Sequence, residues 1–243
     1  MYETLTFREG GEDSGGGDIA FVTLKRDRIN VKQIRELERV CDHLEDHSTC
    51  KVVVIRGHSL GIDFADFDPR ETLDIHGFNK WEKLVSRIER LPKITVAAID
   101  GPCVGGGFQL VLACDQRVCT PSATFSLPEV KLGFLPGMAT FRLAKYVGLG
   151  HAKRLMLTGA ALGAEEALRL GVVDDVSVDL DAVVSRTLIA LGPKHTVAGT
   201  LARRLLIESF HTEPEDAIGH FLAAQHRAIS QAAFLDTLSK ERG

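Results

Sequence analysis

The stretch at residues 94–110, ITVAAIDGPCVGGGFQL, constrains the fold more than any other part of this 243-residue chain. It reads as a buried strand, a run of three glycines (Gly105, Gly106, Gly107) and the start of a buried helix. Glycines at such a place let the backbone turn sharply and let another group approach it closely. The first amides of a helix have no intrahelical partner, so the helix that follows presents free N–H donors at its start. A strand that runs into such a turn suits an anion or a developing oxyanion.

The same alternation precedes it. Residues 2–7 and 18–24 read as strands joined by the polar, glycine-rich loop GGEDSGGGD. A helix over 31–45 follows, with Ile34, Leu37, Val40, Cys41 and Leu44 on one face at helical spacing. A strand over 51–55 leads to a second irregular turn at 58–64, and an acid-rich segment runs on to about Asp74. A helix over 78–91 turns Trp81, Leu84, Val85, Ile88 and Leu91 to one side, and Pro92 stops it. Strand, turn, helix repeated in this way implies an α/β fold whose strand-end loops carry the chemistry. Residues 116–119 and 123–126 read as short strands. Beyond about Ala139 the chain is mostly helical, near 139–147, 150–158, 163–170, 180–191, 195–209 and 213–235.

Charge and composition remove several classes. A formal charge of -4 leaves no basic stripe for nucleic acid. The five cysteines are odd in number and show no CxxC spacing, which fits a reducing compartment better than a disulfide or zinc framework. The histidines are scattered, so no metal site is expected. No apolar run approaches the ~18 residues of a membrane span. The N-terminus MYETLTFREG lacks an apolar signal core, so the expected location is cytoplasmic.

With these residues in view, IDGPCVGGGFQLVLACDQRV followed by ATFSLPEVKLGFLPG resembles the crotonase superfamily of enoyl-CoA hydratases and isomerases. GHAKRLMLTG at 150–159 and the pieces AEEA and LGVVD between 164 and 174 agree with it. The resemblance covers roughly residues 18–176. It implies a spiral of ββα units forming two roughly perpendicular sheets, over 1–192. A C-terminal helical region, 193–243, would serve trimerisation and cover the active site, giving a homotrimer or a dimer of trimers. It implies a coenzyme A or carrier-bound acyl thioester as substrate and no prosthetic group.

The resemblance also implies site residues. Backbone amides at Ile62 and Gly106 match the oxyanion hole that polarises the thioester carbonyl; Ile62 stands where the family commonly has alanine, narrowing the space beside the thioester. Hydratases of the family hold one water with two glutamates. Here the first position is Gln109, two residues after Gly107, and the second is Glu129. A glutamine cannot carry a proton at working pH, though it can hold a water or substrate by hydrogen bonds. Pro136-Gly137-Met138-Ala139-Thr140 is also shorter and poorer in glycine than the hydratase version. A single glutamate resembles the family's double-bond isomerases, and a pocket containing Phe125, Leu127 and Phe134 should raise its pKa. Arg26 and Arg28 match the region that binds the CoA nucleotide. The segments Lys80-Trp81-Glu82-Lys83 and Pro136 to Leu143 are similar to relatives in secondary metabolism. Those relatives assist dehydration, decarboxylation or aromatisation of polyketide-derived thioesters. Hydration or dehydration is therefore the runner-up to isomerisation, and a non-catalytic accessory subunit beside a pathway partner enzyme is the rival of a different class. The acyl group selected depends on the segment from Asp63 to Lys80.

Overall fold

The computed structural model describes residues 2–10, 18–59, 61–63, 75–191 and 197–241. In chain order the first half holds β1 (Leu5–Glu9), β2 (Ile19–Leu24), α1 (Val31–Asp46), β3 (Val52–Arg56), α2 (Ile75–Arg90) and β4 (Ile94–Ile99). Next come β5 (Pro102–Val104), α3 (Gly106–Leu112), β6 (Gln116–Cys119), β7 (Thr124–Ser126) and a 3₁₀ turn over Glu129–Leu132. The remainder is α4 (Ala139–Thr158), β8 (Leu162–Gly163), α5 (Ala164–Arg169), β9 (Asp175–Val176), α6 (Leu180–Leu191), α7 (Val197–Glu208), α8 (Pro214–Ile229) and α9 (Ala232–Glu241).

Two sheets are present. One has the order β1-β2-β3-β4-β6-β9, the other β5-β7-β8. Only β1 runs antiparallel in the first, with Leu5 opposite Leu24; from β2 onward every pair is parallel. Parallel neighbours need long crossovers, and α1 and α2 supply the first two. Val52, Val53, Val54 and Ile55 of the central strand are all buried, the continuous apolar run of a strand covered on both faces.

The helix faces anticipated from spacing are the buried ones. Asn30 caps α1 by accepting from the Gln33 amide at 2.8 Å, and Ile34, Leu37, Val40, Cys41 and Leu44 are buried beneath it. Trp81, Leu84, Val85, Ile88 and Leu91 are likewise buried along α2.

β5, β8 and the long helix read over 213–235 differ from expectation, whereas the break in α4 agrees with it. β5 and β8 are strands of three and two residues, too short to show any alternation. Gly148, at φ 73°, breaks α4 internally, which separates the two helices read near 139–147 and 150–158. The single helix read over 213–235 is two, α8 and α9. There the Ser230 hydroxyl donates to the His226 carbonyl at 2.7 Å, a local bond that competes with helix propagation.

The chain divides into two compact units, Met1–Thr187 and Leu188–Gly243. In the second, α7 and α8 pack together, yet neither buries a residue. All five cysteines are buried and free. Burial pushes the Cys41 and Cys103 thiols up to about 12, which leaves them unreactive. Among the described residues no cluster of metal-ligating side chains occurs, and no helix is long and apolar enough to cross a membrane.

Candidate active site

A cleft of about 960 Å³ opens where α2, α3, the 3₁₀ turn and the loop before α4 meet. Its two donor amides are set by strand pairing. Ser59 forms a parallel bridge with Cys103: the Ser59 amide donates to Pro102 O at 2.9 Å, and the Val104 amide donates to Ser59 O at 2.8 Å. Ile62 and Gly106 each stand three residues beyond that bridged pair. A second parallel bridge joins Ile62 to Ile29, with the Ile29 amide on Gly61 O at 2.9 Å and the Asp63 amide on Ile29 O at 2.8 Å. In this pattern the bonds to Ile29 come from the residues either side of Ile62, so the Ile62 N–H turns away from that strand. The Gly106 N–H is the first of α3 and has no intrahelical acceptor. Both residues line the cleft.

Glu129 opens the 3₁₀ turn, is buried beside Gly105 and lines the same cleft. Gly105 has φ +52°, and a Cβ added there would overlap Glu129 Oε1. Backbone conformation and the nearby carboxylate therefore both demand glycine. Glu129 Oε2 is buried without a hydrogen-bond partner. Burial raises its pKa above the ordinary carboxylate value, outweighing one backbone hydrogen bond that lowers it.

Gln109 lies one helical turn into α3. Its Nε2 donates to Pro136 O at 2.8 Å, and the same side chain hydrogen-bonds the Glu82 carboxylate of α2. Gln109 Oε1 is buried without a partner. Glu82 Oε1 accepts from the Met138 amide at 3.1 Å, and Oε2 lies 3.9 Å from Arg142 Nη1. Burial raises the Glu82 pKa against the opposing effects of the Met138 amide, Arg142 and Gln109. Gly137, at φ +50°, leaves the space that this group fills: a Cβ there would collide with the Glu82 carboxylate and come within 2.8 Å of Gln109 Nε2.

The fold thus gathers Ile62, Gly106, Gln109 and Glu129 around one cleft. Arg28 also lines it, whereas Arg26 is exposed and outside the lining. Of the three apolar residues expected around Glu129, Phe134 lines the cleft and packs on Phe78 with ring centroids 6.3 Å apart. Phe125 and Leu127 belong instead to the core, Phe125 against Phe108 at 5.4 Å. Leu60 and residues 64–74, most of the segment expected to shape the acyl pocket, lie outside the described residues.

Sequence reasoning gave Glu82 and Arg142 no role. The signal was a polar stripe at helical spacing, Glu82, Ser86 and Glu89, beside the apolar face of α2. Arg142 reaches across to that stripe, with Nη2 2.8 Å from Glu89 Oε2 and 3.3 Å from Ser86 Oγ.

Comparison with known proteins adds an independent line. The pattern of the family described as Enoyl-CoA hydratase/isomerase matches residues 15–241. The chain is 32% identical over 205 residues to an "Enoyl-CoA-hydratase" of Amycolatopsis orientalis, covering 84% of this chain and 93% of that protein. It is 33% identical over 171 residues to a "Short-chain-enoyl-CoA hydratase" of Clostridium acetobutylicum, covering 66% of each. Among solved structures, an enoyl-CoA hydratase from Mycobacterium smegmatis superposes with a TM-score of 0.88 at 21% identity, over 98% of this chain and 95% of that one. This last likeness is one of fold.

Proposed function

Because the chain belongs to the enoyl-CoA hydratase/isomerase family, we propose that it binds an acyl-CoA thioester in the cleft and shifts a carbon–carbon double bond through an enolate. The Ile62 and Gly106 amides hold the thioester oxygen as charge develops on it, each such donor being worth on the order of 10²–10³ in rate. The Glu129 carboxylate takes a proton from one carbon of the acyl chain. Collapse of the enolate then draws a proton back from Glu129 at a different carbon, so no net proton, electron or water is consumed, and while the carboxyl holds the proton it can trade it with solvent.

One observation carries this reading: a buried carboxylate with an unpartnered oxygen and a raised pKa stands against Gly105, next in sequence to a free donor amide. A carboxylate whose pKa is raised by burial suits taking and returning a proton. Gln109 orients the substrate in this scheme and carries no proton.

Hydration is the second reading. Gln109 Oε1 and Glu129 Oε2 are both buried acceptors without partners in the same cleft, and one water has two protons to offer them. The hydratase names of the relatives favour it as well.

Arg28, with Arg26 nearby in sequence, is proposed to meet the CoA phosphates. The C-terminal helices are proposed to drive trimerisation: Phe210, Ile218, Phe221 and Leu222 are large, apolar and exposed. Incubation with a panel of acyl-CoAs in deuterated water, followed by mass spectrometry, tests the chemistry. Label at the α or γ carbon with a moved double bond supports isomerisation; a mass gain of one water supports hydration. No exchange with any ester alone, and activity only beside a partner enzyme, would favour the accessory-subunit reading.

A further inference from the structure

The orientation of the Gln109 side chain is dictated by its neighbours. Pro136 O can only accept, and an ionised Glu82 carboxylate can only accept, so both must face the amide nitrogen. Its N–H groups then face these two acceptors, and the carbonyl oxygen is left as a pure acceptor, buried and unpartnered. Glu82 Oε1 is held by the Met138 amide, while Oε2 has no hydrogen-bond partner and faces the Arg142 guanidinium at 3.9 Å. Arg142 is in turn fixed by Glu89 and Ser86. Gly137 provides the room. Glu82, Asn79 and Met138 also line a second cleft of about 560 Å³, so this group forms part of the wall between the two.

A glutamate at 109 would meet a different environment. Its oxygen would take the place of Nε2, 2.8 Å from Pro136 O and beside the Glu82 carboxylate, so that three acceptors would meet with no donor between them. The residues at 82 and 109 therefore constrain each other: a carboxylate at one requires an amide at the other.

We propose that Glu82 is the positioning residue for Gln109, locking its amide so that Oε1 alone faces the acyl chain, and that the charge a second glutamate would bring to position 109 stands instead on α2. The catalytic part of this inference rests on the enolate reading; the side-chain orientation does not. Restoring a glutamate at 109 does not by itself restore a two-glutamate site, because Glu82 opposes its ionisation.

Two measurements test it. In ¹⁵N-labelled protein, the Gln109 side-chain amide is identified by the signals that vanish in Gln109→Leu. Those signals should be protected from solvent exchange, and they should move in the isosteric Glu82→Gln and in Glu82→Ala. Signals that exchange freely, or that stay put in both variants, overturn the proposal. The second measurement is α-proton exchange with the best acyl-CoA. Glu82→Gln should lower kcat about tenfold with KM within threefold. Gln109→Glu should lower kcat about a hundredfold, and the exchanged pair Glu82→Gln/Gln109→Glu should recover at least tenfold of that loss. A double variant no better than Gln109→Glu overturns the coupling. If the native protein exchanges no proton with any ester, the enolate reading fails while the amide signals still decide the Glu82 assignment.

Discussion

Glu36 and Glu129 are the same side chain at nearly the same depth, 1% and 5% exposed, and the protein treats them in opposite ways. Glu36, on α1, accepts from the Glu3 amide at 3.0 Å, the Thr4 amide at 2.8 Å and the Thr4 hydroxyl at 2.5 Å. Burial alone would raise its pKa, but these donors, with Arg39 at 3.8 Å, bring it down to about 2. At Glu129 the burial penalty meets one backbone hydrogen bond and goes uncompensated. Depth does not distinguish a structural carboxylate from a chemical one; the number of donors does. Glu36 is saturated, and it ties the start of β1 to α1. Glu129 is left short of donors, and the shortfall is what suits it to the proposed role of base.

The largest effect that can break this contrast is at Glu129. Glu129→Gln should lower α-proton exchange by about 10²–10⁴-fold without lowering the melting temperature, and an unchanged rate would remove the proton-carrier role. At Glu36 the effect falls on the fold. A carboxylate held at about 2 against an ordinary 4.5 contributes on the order of 3 kcal/mol at neutral pH, so Glu36→Gln should lose much of that in urea unfolding.

The pH dependence sharpens the contrast, because its sign differs at the two sites. The Glu36 contribution is present above about 4.5 and fades as pH falls from 4.5 towards 2, so wild type and Glu36→Gln should converge there. A raised pKa works the other way. Ionised Glu129 opposes folding above its unfolded value of 4.5, and Glu129→Gln should gain stability only above that pH. A gain at pH 3 would contradict the assignment. The smallest effect concerns Ile62, where the proposed role belongs to the backbone amide alone. Ile62→Ala should keep kcat within about threefold and admit bulkier acyl groups, as kcat/KM across an acyl-CoA series would read out.

Much of this was legible in the sequence, for physical reasons. Trp81, Leu84, Val85, Ile88 and Leu91 recur at the period of a helix, and the period alone says they share a buried side. The glycines at 105–107 announced a turn and a helix start in one run. Glu82 shows in the sequence only as one member of a polar stripe; its place in the site was not legible, because that lies in contacts with Met138, Gln109 and Arg142, far along the chain. Phe125 and Leu127 were misplaced because apolar residues look alike whether they line a cleft or fill a core. Arg26 and Arg28 read as a pair, but the chain bends at residues 27 and 28, and only Arg28 reaches the cleft wall.

The hydrogen bonds that place the two donor amides run through Ser59, Cys103, Ile29 and Ile62, and they end at Asp63. The spacing of the proposed oxyanion hole is therefore inherited from two parallel β-bridges. Backbone bonds carry that spacing, and side chains do not. A cleft-lining side chain such as Ile62 could therefore be exchanged to suit another acyl group, and the donor pair would not need to be rebuilt.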